Sequence, residues 1–351
     1  MKTVIMKYDR DHKDPGVMEQ AGRILRDGGL VAFPTETVYG LGGDALNPRA
    51  SQKIYAAKGR PSDNPLIVHI ADMEALKVLA REIPENALKL ADRFWPGPLT
   101  MILNKSDAVP HETTGGLDTV AIRMPSHPAA YELIRSSGVY IAAPSANTSG
   151  RPSPTLASHV EEDLGGRIDM IIDGGRCDIG LESSIIDLSV PVPTILRPGY
   201  ITRAMFEDVI GHVDVDPTIV SDSLIPGQKP KAPGMRYKHY APRGDLTIVE
   251  GGRQAVAAKI NELIALRESQ GRRTAVICSE ETRNLYRCGI RETIGSREHE
   301  ESIAANLYDV LRRMDRDGAE YIYSESFAGA GLGTAIMNRL LKAAGHKIIR
   351  L

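Results

Sequence analysis

Cysteine is scarce: Cys177, Cys278 and Cys288 are the three in 351 residues, with no Cys-x-x-Cys spacing and no histidine cluster beside them. That argues against a disulfide framework and a zinc site, and it fits a reducing compartment. Long apolar runs are missing as well. The opening Met1-Lys2-Thr3-Val4-Ile5-Met6-Lys7-Tyr8 is far too short in its apolar part for a signal peptide, and no segment approaches the length of a membrane span. A cytoplasmic protein with no membrane partner is therefore expected. Nor is there an excess of one charge: 43 Lys and Arg face 45 Asp and Glu, a net −2. Such a balance points to no obligatory polyanionic partner. No Ser-His-Asp or Cys-His arrangement stands out, which argues against a covalent enzyme intermediate.

What is present reads as an ordinary globular protein, 42% hydrophobic and 25% charged, and too long for one typical core. Strands are expected at 3–8, 30–33, 66–70, 99–103, 119–123, 139–143, 168–172 and 194–197. Helices are expected from 14 to 28, at 48–57, in two pieces over 73–93, and at 128–137, 155–164 and 202–210. His111 to Gly116 reads as a Gly/Thr-rich loop, and Trp95 as packing. The expected domains are 1–211, a Pro-rich basic linker over 212–243, and 244–351. The last restarts as strand (246–250), helix (253–269), strand (274–278), helix (297–316), strand (320–324), helix (332–344) and strand (346–350). Alternation of this kind predicts a small Rossmann-like parallel sheet flanked by helices. Its Ala328-Gly329-Ala330-Gly331-Leu332-Gly333 turn follows the third strand rather than the first, so it is read as a packing or anion-contact turn, not a dinucleotide fingerprint.

The chemistry concentrates in two polar turns. Pro48 opens the helix that ends at Lys58-Gly59-Arg60-Pro61, where the proline pushes Arg60 out of the helical region. Two cations thus sit on an unwinding turn, with Ser62 and Asn64 beside them, a design for phosphate. Lys58 is expected to act there as a mobile point charge. The bland alternative is an exposed helix end whose cations meet the helix dipole. The second turn, Pro144-Ser145-Ala146-Asn147, follows an apolar strand, as does Pro34-Thr35-Glu36-Thr37, and ligands in open α/β sheets gather beyond such strand ends. Arg123 and Arg197 each terminate a strand, where a cation is costly unless it meets an anion; for Arg123 that is a substrate carboxylate or an internal Asp or Glu, and Arg197 joins Lys58 and Arg60 as a candidate donor to phosphate. His69 sits near a strand end and has a plain reading as a histidine satisfied inside the fold.

The motifs Pro34 to Gly42, Lys58-Gly59-Arg60-Pro61 with Asn64-Pro65-Leu66, Phe94 to Thr100, Ala121 to Pro125, Pro144 to Gly150, Glu182 to Asp187 and Leu196 to Gly199, in this order, resemble the threonylcarbamoyl-AMP synthase family in its long, two-domain form. The resemblance implies an α/β protein with an N-terminal YrdC-like open twisted mixed sheet. It implies condensation of L-threonine, bicarbonate and ATP into threonylcarbamoyl-AMP, for a transferase that modifies tRNA. Lys58 and Arg60 are then the expected catalytic cations. ATP contacts are expected from them and from Asn64, Thr119, Ser145, Asn147, Ser153, Arg197 and the linker residues Arg236 and Tyr237. L-Threonine would be held by Thr35, Thr37, His69, Arg123, Ala143 and Ser183. Mg2+ would accompany the ATP without ligands from protein side chains. Two further readings stay open at this point: an RNA-binding module without turnover, and a carbamoyl-adenylate enzyme sharing the same domain.

Overall fold

The computed structural model describes residues 2–9, 15–219, 230–233, 239–329 and 331–351. They divide into two compact units. One comprises Met1–Ser149, Ser153–Asp178 and Glu182–Arg236; the other comprises Gly150–Pro152, Ile179–Leu181 and Tyr237–Leu351.

The first unit runs β1 (Val4–Lys7), α1 (Pro15–Arg26), β2 (Val31–Phe33), β3 (Gly40–Asp44), α2 (Pro48–Lys58), β4 (Ile67–His69), α3 (Ala75–Leu79) and α4 (Glu85–Phe94). It continues with β5 (Leu99–Asn104), α5 (His111–Thr114), β6 (Thr119–Arg123), α6 (Pro128–Ser137), β7 (Ile141–Ala142), α7 (Ala157–Leu164), β8 (Met170–Asp173), β9 (Ser184–Asp187), β10 (Thr194–Arg197), α8 (Arg203–Ile210) and β11 (Asp214–Val215). The strands lie in the order β1-β8-β2-β3-β7-β4-β6-β5-β9-β10-β11. The sheet is mixed: β4 and β6 run parallel, while β7 and β5 flank them antiparallel.

Helices pack on this sheet through apolar stripes at helical spacing. Val17, Met18, Ala21 and Leu25 of α1 are buried in one cluster with Ala129, Ala130, Leu133 and Ile134 of α6. The two helices approach so closely that a Cβ on Gly22 would stand 3.0 Å from Ser137 Cα. On the larger core, Phe94 of α4 meets Phe206 of α8 edge to face, with ring centroids 6.2 Å apart.

The second unit is an alternating one: β12 (Asp245–Glu250), α9 (Arg253–Ser269), β13 (Thr274–Cys278), β14 (Ile290–Thr293), α10 (Glu300–Arg316), β15 (Tyr321–Glu325), α11 (Gly333–Ala343) and β16 (Ile348–Arg350). Its order is β14-β13-β15-β12-β16, with every pairing parallel. The fold class is thus α/β with a large mixed sheet and a smaller parallel one, as the sequence implies.

Four strands escape the sequence reading: β3, β9, β11 and β14. The stretch 212–219, read as the start of the linker, carries β11 paired to β10 and a 3-10 turn at Pro217–Ile219. The Gly/Thr-rich loop at 111–116 is the helical turn α5, closed by Gly115 in the left-handed region. Its threonines face inward: Thr113 Oγ1 donates to Ala45 O at 2.7 Å and meets Ser51 Oγ at 2.9 Å. At the glycine-rich turn before α11, Glu300 Oε2 accepts from Gly333 N at 3.1 Å, so the anion at that helix start is the chain's own carboxylate.

Candidate active site

The end of α2 makes the first half of the site. Asn47 caps the helix start, accepting from Arg49 N, and Gly59 closes it at φ 60°, ψ 38°. Lys58 is 1% exposed rather than mobile. Its ammonium donates to the carbonyls of Ser145 and Asn147, and Ser149 N returns a bond to Lys58 O at 2.9 Å. The two polar turns are thereby tied together through one buried cation. Within the second turn, Ser145 Oγ donates to Asn147 Oδ1 at 2.5 Å, and Asn147 Nδ2 donates to Thr148 O. Half-buried Arg60 curls onto its own loop, with Nε to Asn64 O at 3.3 Å and a terminal nitrogen to Pro65 O at 3.2 Å. Asn64 is buried, and its Oδ1 meets no protein donor. A buried acceptor left this way costs about 1–3 kcal/mol unless a ligand supplies the donor.

The second half lies at the far end of β6. Thr119 starts that strand and Arg123 ends it, so the two stand roughly 13 Å apart along an extended backbone. In the sheet Arg123 faces His69 of β4 on one side and Thr100 of β5 on the other. It forms an ion pair with Glu36, Oε1 to nitrogen 2.7 Å, both side chains buried. The contact is Coulombic rather than an aligned hydrogen bond, and Arg123 Nε adds a long bond to Gly97 O at 3.4 Å. Glu36 Oε2 accepts from Ser126 N at 3.2 Å. Thr35 and Thr37, on either side of Glu36, meet hydroxyl to hydroxyl at 2.8 Å, and Thr35 Oγ1 also donates to Val38 O at 2.6 Å. Of the two anions the sequence leaves open for Arg123, an internal glutamate is in place.

His69 is buried, with Nδ1 3.1 Å from Ile67 O and its ring edge-on to Phe33. Burial first, and the Arg123 charge second, hold its pKa down at about 3. The imidazole is neutral, able to orient a polar group but not to donate a charge. Ser183 Oγ meets Thr100 Oγ1 at 2.7 Å and accepts from an Arg197 terminal nitrogen at 3.1 Å. Arg197 Nε donates to Ser183 O, and its other terminal nitrogen to Pro233 O. Arg197 therefore keeps company with Ser183. Ser153 Oγ donates to the buried Glu182 Oε1 at 2.6 Å, and Ala143 is buried with its N–H on Ile67 O. Arg236 and Tyr237 lie outside the described residues.

The two halves share the β2–β3 connection: Ala146 N donates to Tyr39 O, Tyr39 N donates to Pro154 O, and Gly40 bridges Ser145. Two carboxylates, Glu36 and Glu182, join the site without having been singled out from the sequence. The signal for Glu36 was present, an acid between two threonines in a chain whose strand-ending Arg123 needed a partner. Among the described residues no three His, Cys, Asp or Glu side chains gather as a metal site.

A family model described as "Telomere recombination" matches residues 23–199, and one described as "Threonylcarbamoyl-AMP synthase, C-terminal domain" matches 201–345. The threonylcarbamoyl-AMP synthase of Pyrococcus abyssi is 51% identical over 94% of this chain and 95% of its own length. That of Bacillus subtilis is 51% identical over 96% and 95%. A crystal structure of P. abyssi Sua5 complexed with L-threonine superposes with a TM-score of 0.94 at 49% identity, covering 99% of this chain and all of that one. With both domain models matched in order along its length, the chain belongs to the threonylcarbamoyl-AMP synthase family.

Proposed function

We propose that this chain condenses L-threonine, bicarbonate and ATP into threonylcarbamoyl-AMP and pyrophosphate, the activated donor for tRNA modification by a downstream transferase. The threonine amine adds to bicarbonate with loss of water. The resulting carbamate oxygen attacks the α-phosphorus, and pyrophosphate leaves. In this reading Arg123 takes the threonine carboxylate on the guanidinium edge away from Glu36, while Thr35, Thr37, His69, Ala143 and Ser183 surround its hydroxyl and amine. Lys58 and Arg60 stabilise charge on the α-phosphate and the leaving oxygens; Asn64, Thr119, Ser145, Asn147, Ser153 and Arg197 supply further contacts to the nucleotide. Arg236 and Tyr237 complete the nucleotide contacts in this reading. The acceleration comes from holding three reactants in line. Mg2+ would accompany the ATP and neutralise phosphate charge there; among the described residues no three His, Cys, Asp or Glu side chains gather to hold it. The N-terminal domain, 1–211, is the proposed catalytic body, joined through 212–243 to 244–351, and the cytoplasm is the proposed compartment.

The observation that carries this reading is one buried cation, Lys58, binding two polar turns into a single wall. The family membership supports the substrates. Incubation with ATP, bicarbonate and each amino acid in turn, followed by mass spectrometry, is expected to yield an AMP adduct with L-threonine. An adduct absent with threonine, or formed equally with valine, contradicts the reading.

A further inference from the structure

Arg123 is already paired with a carboxylate before any ligand arrives. Glu36 lies 2.7 Å from it, and the two side chains are 8% and 4% exposed, so water screens neither. His69, on the neighbouring strand, is neutral. Arg197 lies one step further off, donating to Ser183 Oγ, which in turn meets Thr100 Oγ1 on the strand beside Arg123. An isolated buried arginine would welcome any carboxylate. A neutral Arg–Glu pair does not, because a carboxylate alone then brings an uncompensated charge into a buried place.

We propose that Glu36 is a specificity residue that confines the pocket to ligands carrying their own positive charge, the zwitterionic α-amino acid, and turns away carboxylates that lack an amine. This rests on the reading of Arg123 as the carboxylate site. The amino acid brings one charge of each sign, so the pocket stays neutral when it binds. A hydroxy acid of the same shape leaves it one negative charge in excess, and like charges held close under burial repel strongly. Glu36 also fixes one edge of the guanidinium while Ser126 N fixes Glu36, a support for the arginine that a purely structural acid would share.

Calorimetric binding of L-threonine and 3-hydroxybutyrate, which is threonine with hydrogen for its amine, to the full-length protein separates these roles. Wild type is expected to favour threonine by about a hundredfold or more. Glu36→Gln keeps the shape and an acceptor for Arg123 but removes the charge. In it 3-hydroxybutyrate should tighten and threonine weaken, shrinking the preference by about tenfold or more. Equal weakening of both ligands overturns the inference and leaves Glu36 as a mere support for Arg123. Should Glu36→Gln fail to fold, the wild-type pair decides, since 3-hydroxybutyrate bound as tightly as threonine overturns the inference alone. The double variant Arg123→Ala/Glu36→Ala removes both charges together. Unchanged threonine affinity there would sink the carboxylate site itself and this inference with it, whereas lost affinity with an unshifted preference in Glu36→Gln sinks this inference only.

Discussion

Lys58 spends its charge on the carbonyls of Ser145 and Asn147, so its loss should act twice. Lys58→Ala is expected to abolish threonine-dependent pyrophosphate release and also to lower the melting temperature, because a buried partner is removed from two acceptors. Arg60→Ala, which removes a half-buried cation donating to the carbonyls of Asn64 and Pro65 on its own loop, should abolish turnover and lower melting less than Lys58→Ala. Wild-type-like turnover in either variant would contradict the turn's role. His69 yields a prediction in pH. Its folded pKa of about 3 lies below the unfolded value near 6.5, so the unfolded chain binds more protons between those limits. Stability should fall as pH drops from 6.5 toward 3, by up to about 1.4 kcal/mol per pH unit from this group. A His69→Gln variant should flatten that acid limb in chemical denaturation; an unchanged slope would contradict burial in the neutral form. At this scale the strand-ending cations were legible because charge at the end of an apolar run is costly. Glu36 was legible only as one of the acids that Arg123 could meet, and Glu182 not at all, since an acid in a polar turn looks the same whether it meets water or a buried partner.

Glycine conformation governs how the α2 turn is presented. Gly59 sits at φ 60° with open space where a Cβ would go, so Gly59→Ala should cost only the backbone term, about 1 kcal/mol. Gly115 sits at φ 64°, and there a Cβ would stand 2.9 Å from Asp63 O, against the loop that carries Arg60 and Asn64. Gly115→Ala is therefore expected to destabilise more than Gly59→Ala and to raise the KM for ATP, both read from denaturation and steady-state rates. Equal effects would contradict the close approach. Elements with strong periodicity or clean boundaries were legible: β6, α6, β10, α9 and β13 occupy the residues their patterns predict. β3, β11 and β14 lacked such signals. β3 is Gly-Leu-Gly-Gly-Asp, almost without side chains to alternate, and it forms because β2 and β7 pair with it. β14 is Ile-Arg-Glu-Thr, polar enough for an edge, and β11 is two residues long. In each, tertiary pairing supplies what propensity does not.

On the scale of the whole chain, the second unit gathers Gly150–Pro152 and Ile179–Leu181 with Tyr237–Leu351. Arg312, fully buried there, donates to Pro152 O at 2.6 Å. A fragment ending at Arg243 removes the partners of those two short segments, and it should melt below the intact chain and turn over more slowly. Full activity in the fragment would make the C-terminal portion dispensable. The alternating pattern made this parallel unit legible from sequence, but no local pattern announces that two distant tripeptides belong with it. The Lys58 turn and the Arg123 pocket are proposed to serve one reaction. Pyrophosphate release from ATP and bicarbonate, measured with and without L-threonine in wild type, Arg60→Ala and Arg123→Ala, tests this most directly. Release is expected to require threonine in wild type, to vanish in Arg60→Ala, and in Arg123→Ala to need about a hundredfold more threonine. Release that ignores threonine, or an Arg123→Ala protein with an unaltered threonine requirement, would contradict it.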